Sequence, residues 1–128
     1  MNPWTKIREL MDAVPEEARR LIAYDAWDPA VGCGCIFGTL YPYTPRPSAQ
    51  PTRINFVNLA YNTPGPDADG FSPETADRFR KWLKANDLSD NVVSDLQTAN
   101  DAYDQDVPEE HWKRVYAYVV QREKEFTA

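Results

Sequence analysis

Histidine occurs once in this 128-residue sequence and cysteine twice, so the side chains that most often hold metals or act as nucleophiles are scarce. A closed zinc site takes four ligands, usually Cys and His in pairs spaced by two or more residues. Here Cys33 and Cys35 stand one residue apart and His111 lies far downstream, too small a set for that pattern. Two cysteines also fall short of a disulfide framework, and a reducing cytoplasm is the expected compartment. Long apolar runs are missing too. No stretch approaches the roughly 18 residues that a membrane span needs. The opening M-N-P-W-T-K-I-R-E-L is charged and amphipathic and has no secretory apolar core. No P-loop, dinucleotide-binding glycine fingerprint, nucleophile elbow or H-E-x-x-H pair occurs. These absences set an expectation: not an enzyme, with no catalytic residue, no metal, no cofactor and no membrane contact.

Cations are missing from one long segment. Between Asp87 and His111 stand Asp87, Asp90, Asp95, Asp101, Asp104, Asp106, Glu109 and Glu110, with no Lys or Arg among them. That block carries −8 within a chain of net charge −6, so the remainder sums to about +2. Nucleic-acid phosphates need cations opposite them, and direct binding of nucleic acid is disfavoured on this face. A protein with a basic surface would be attracted instead, by a steering that weakens as salt rises. The plainer alternative is a solvated helix face that confers solubility. Asp101, Asp104 and Asp106 fall close together but lack the spacing and turn glycine of an EF-hand calcium loop.

What the chain has in plenty is apolar and aromatic residues. It is 42% hydrophobic and 12% aromatic, with four Trp, enough to build a core without covalent staples. At this length one domain over 1–128 is expected. Asn2-Pro3 is a cap followed by a first-turn proline, and Trp4, Ile7, Leu10, Met11 and Val14 then recur at helical spacing, so 3–14 reads as an amphipathic helix. Val14-Pro15-Glu16-Glu17 reads as the start of a second, short helix carrying Leu21, Ile22 and Tyr24, with its acids in the dipole-favoured first turn. Residues 25–34 read as a loop, and Cys35 to Tyr41 as a two-turn buried helix or a short strand. Two proline-rich loops, 42–51 and 63–70, flank Ile54 to Tyr61, whose pattern fits helix or strand.

The second half is plainer. Ser72-Pro73-Glu74 opens a helix with Ala76, Phe79, Trp82 and Leu83 on one face. Ser89 caps the next, with Val92, Val93, Leu96, Ala99 and Tyr103 on one side. Pro108-Glu109-Glu110 opens the last, whose stripe of Trp112, Val115, Tyr116, Val119 and Val120 is the most regular in the chain. The fold class expected is mostly α: a compact single-domain bundle of five or six short helices with two Pro-rich loops and room for one short β-hairpin. V-P-E-E occurs at 14–17 and again at 107–110, but the spacing downstream shifts by one residue. The motif is generic helix-start chemistry and no internal repeat.

V-G-C-G-C-I-F-G-T-L, residues 31–40, holds both cysteines and three of the five glycines. A bond between residues two apart closes a strained ring against the preferred Cα separation of about 5.5–6 Å, and the usual redox spacing is C-x-x-C. Free cysteine is among the most buried residue types, so the simplest reading is structural: Cys35, Gly38 and Leu40 in the core, Gly32 and Gly34 shaping the turn before it. His111, one step off the last helix's stripe, reads as a boundary histidine. A Cys33–His111 dyad would need a proximity that only the fold can supply.

The segment Cys35-Ile36-Phe37-Gly38-Thr39-Leu40, a C-x-[apolar]-G-x-L run after a Trp27-containing loop, resembles one found in small uncharacterised proteins of bacteria and their phages. In those a downstream N-D precedes a P-E-E helix start, here Asn100-Asp101 and Pro108-Glu109-Glu110. The resemblance implies a small helical protein of a mobile element and supplies no activity.

The function expected is that of a non-enzymatic acidic protein-binding domain, with Asp87, Asp90, Asp95, Asp101, Asp104, Asp106, Glu109 and Glu110 as the partner-binding residues. Its partner would be a protein with a basic surface. Joined to the resemblance, the concrete form is a phage or mobile-element inhibitor of a host nucleic-acid-binding defence complex, anti-CRISPR-like, offering carboxylates in place of phosphates. Two alternatives stay open: a metal-binding or redox-sensitive protein dependent on Cys33 and Cys35, and a structural or housekeeping phage protein.

Overall fold

The computed structural model describes residues 2–21, 27–28, 33–41, 73–103 and 107–126, with backbone alone at 27–28, 33–34 and 73–76. Both proline-rich loops, the 54–61 segment, Ile22, Tyr24, Asp104 and Asp106 lie outside the described residues. Asn2 starts the first helix. Its Oδ1 accepts from the Trp4 N–H at 3.0 Å, and Pro3 fills the first helical position, where a missing N–H leaves nothing unsatisfied. Helix α1, Pro3–Asp12, buries Trp4, Ile7 and Met11. It ends under Arg19, whose Nε donates to the Val14 carbonyl at 2.9 Å and Nη2 to that of Asp12 at 3.1 Å.

The expected second helix does not form as such. Only a single 3₁₀ turn, Glu16–Ala18, is present, and Arg19 leaves it at ψ 66°. The reason is tertiary: Leu21 is buried, and its N–H donates to the carbonyl of Pro108 at 3.3 Å, drawing the chain away from a helical path. The expected 25–34 loop contains a minimal antiparallel ladder, β1 (Trp27–Asp28) with β2 (Cys33–Gly34), in the register Trp27 to Gly34 and Asp28 to Cys33. Two residues a side are too few to show an alternating pattern in the sequence.

Helix α2, Ile36–Leu40, resolves the helix-or-strand question for the cysteine segment and buries Ile36, Phe37, Gly38 and Leu40. Helix α3, Pro73–Ala85, places Phe79 and Leu83 in the core with Trp82 packed beside them. Phe79 meets Phe37 and Tyr41 edge-on, at centroid distances of 6.1 and 5.0 Å, so an aromatic cluster joins α3 to α2. Asp87 closes α3 in the left-handed region at φ 57°, allowing Leu88 N–H to reach back to the Leu83 carbonyl at 2.9 Å. Helix α4, Asp90–Ala102, comes next. Ser89 holds the cap position, yet its side chain makes no capping bond. Helix α5, Pro108–Glu125, buries Trp112, Val115 and Val119. Burial at that depth is worth roughly 1.5–3 kcal/mol for each large side chain, so this stripe supports much of the core. α1 and α5 lie against each other, as do α4 and α5, and α2 rests on α4. The architecture is mostly helical, and among the described residues no helix is long and apolar enough to cross a membrane.

Candidate partner-binding surface

Six of the eight acids between 87 and 110 are described. Asp87, Asp90, Glu109 and Glu110 are exposed, while Asp95 and Asp101 are half-buried. At about 100° per residue, Asp90 and Asp101 differ by only about 20° around α4 and stand some 16 Å apart along it, whereas Asp95 lies about 140° round. The acids therefore occupy two flanks and both ends of the α4–α5 pair, not one stripe.

Although the segment has no cation of its own, cations from outside it reach its acids. Arg122 Nη2 reaches Asp95 Oδ2 at 3.1 Å, Arg20 Nε reaches Glu109 at 3.4 Å, and Lys113 reaches Glu110 at 3.3 Å. Arg122 also lies over the Trp4 ring at 4.6 Å and donates to the Tyr118 hydroxyl at 2.6 Å. Burial acts most strongly on this guanidinium and opposes its charge. The hydrogen bond to Asp95 and the Tyr118 contacts outweigh that, and its pKa is raised. Asp101 does different work. Its Oδ1 accepts from Gln97 Nε2 at 2.9 Å and from Asn100 Nδ2 at 3.2 Å.

Asn100, fully buried, is the hub of a polar cluster that residue-by-residue reading of the sequence missed. Its Oδ1 accepts from the Ile36 N–H at 2.9 Å, capping α2, whose own N-cap residue Cys35 makes no side-chain capping bond. Its carbonyl is among the last of α4, where intrahelical partners run out. His111 supplies the donor: Nε2 lies 2.6 Å from that oxygen, and since a carbonyl only accepts, Nε2 carries the proton. His111 is thus not the expected boundary histidine but a fully buried one. Cys35 is likewise fully buried. The side chain of Cys33 lies outside the described residues. The cluster brings together Cys35–Leu40 and Asn100-Asp101, segments far apart in the sequence.

A second polar chain crosses from α1 to α5. Arg8 Nε donates to Glu123 at 2.8 Å and Nη1 to Asp12 at 3.1 Å, while the Tyr116 hydroxyl donates to Asp12 at 2.7 Å. The hydrogen bond to Glu123 chiefly raises the Arg8 pKa, and the same bond, followed by one from Thr5, lowers that of Glu123. Tyr116 is raised by its bond to Asp12 and then by burial.

Several concavities border the acids: Glu109 lines one of about 570 Å³ and Asp87 one of about 480 Å³. Another of about 400 Å³ lies at the α3–α4 junction, lined by Arg80, Leu83, Lys84, Asp87, Leu88 and Asp90. A smaller one of about 180 Å³ lies beside Asp95, between α4 and Tyr118. Compared with protein-family models, curated protein sequences and solved structures, the chain matches none.

Proposed function

We propose that this protein is a non-enzymatic acidic binding domain that docks a basic surface of another protein across α4 and its two ends. The observation that carries the reading is that none of the six described acids is buried, and the cations beside three of them sit in exposed or half-exposed pairs. Such pairs are worth about 0–1 kcal/mol, so exchange for a partner's Lys and Arg costs little. Asp87 adds a second support. It holds a left-handed position that glycine would take at lower cost, and its carboxylate is exposed. The finer form of the proposal is a phage or mobile-element inhibitor, anti-CRISPR-like, whose carboxylates stand where a host defence complex would hold phosphates. Asp101 is in this reading an anchor of the polar cluster first and a contact second.

Capture from bacterial lysate at low and high salt tests it. Asp87→Lys/Asp90→Lys is compared with Glu9→Lys/Glu17→Lys, which makes the same charge change on exposed positions elsewhere. The expected result is salt-sensitive capture of a basic protein by wild type and the Glu9/Glu17 variant, lost in the Asp87/Asp90 variant. Equal capture by both variants would mean that the acids serve solubility alone. For the finer form, the captured partner should release bound duplex DNA when this protein is added.

A further inference from the structure

We draw no further inference here: the strongest candidate, the hollow of about 400 Å³ where Arg80 and Lys84 border the start of α4, rests on that helix N-terminus alone, since Asp87 and Asp90 share its wall with the two cations and nothing in the structure shows what would occupy it.

Discussion

Val-Pro-Glu-Glu opens two regions of this molecule, and they end differently. At 107–110 it launches the 18-residue helix α5; at 14–17 it yields a three-residue 3₁₀ turn. The local chemistry is the same in both, a proline of fixed φ followed by acids in the dipole-favoured first turn. The residues downstream differ. After the second copy, Trp112, Val115 and Val119 are buried on one side. After the first, the buried Leu21 is taken by the Pro108 carbonyl, and Arg19 turns back to the end of α1. A start signal permits a helix, and a buried face sustains it, because a short helix cannot offset its nucleation by itself. The two copies also meet, through Leu21 with Pro108 and Arg20 with Glu109, so the aborted turn serves as a strap on the start of the helix that succeeds.

Substitutions can break that contrast. Trp112→Ala, which empties the first buried aromatic site of α5, should cost about 3–5 kcal/mol in urea unfolding. A cost below about 1 kcal/mol would show that the stripe does not sustain the helix. Asn100→Ala probes a third kind of helix start, the borrowed cap of α2. It leaves the buried Ile36 N–H without its acceptor and should cost about 1–3 kcal/mol, whereas Asn100→Asp keeps that oxygen but sets a buried second carboxylate against Asp101 and should cost no less.

The Arg8–Glu123 bond gives a smaller effect with a definite sign. The folded-state pKa of Glu123 is lowered, so its contribution is complete above the ordinary glutamate value of about 4.3 and is lost as pH falls through the folded value. Acid unfolding curves of Arg8→Gln should lack that part of the decline seen in wild type, and superimposable curves would contradict the assignment. The smallest effect compares the two copies directly. Glu109→Gln/Glu110→Gln should cost about 0.3–1 kcal/mol through the α5 dipole, while Glu16→Gln/Glu17→Gln should stay within about 0.5 kcal/mol. Equal losses at both would show that the contribution of the acids does not depend on the helix behind them.

Much of the helical plan was legible because it is written locally. The Asn2 cap, the Pro3 and Pro108 starts and the Trp112–Val119 stripe all lie within a turn or two of what they control. The cysteine segment was legible only to the point of helix or strand, since so short a run carries no distinguishing period. The burial of His111 and the role of Asn100 were not legible one residue at a time, because Ile36 and Asn100 are 64 positions apart. For the candidate surface, the sequence showed a segment without cations of its own, but Arg20 and Arg122 arrive from elsewhere in the chain.

The bond from Asn2 Nδ2 to the Glu123 carbonyl, with Arg8 on the Glu123 side chain, ties residues more than a hundred positions apart. Seen in time, this sets an order of assembly. During synthesis at about 5–20 residues per second, α1 emerges and then waits on the order of ten seconds before α5 exists to receive it. Through that interval Trp4, Ile7 and Met11 have no α5 to cover them. Helix α1 can take its place against α5 only after α5 is made, and until then its apolar face is open to any holdase or neighbouring chain.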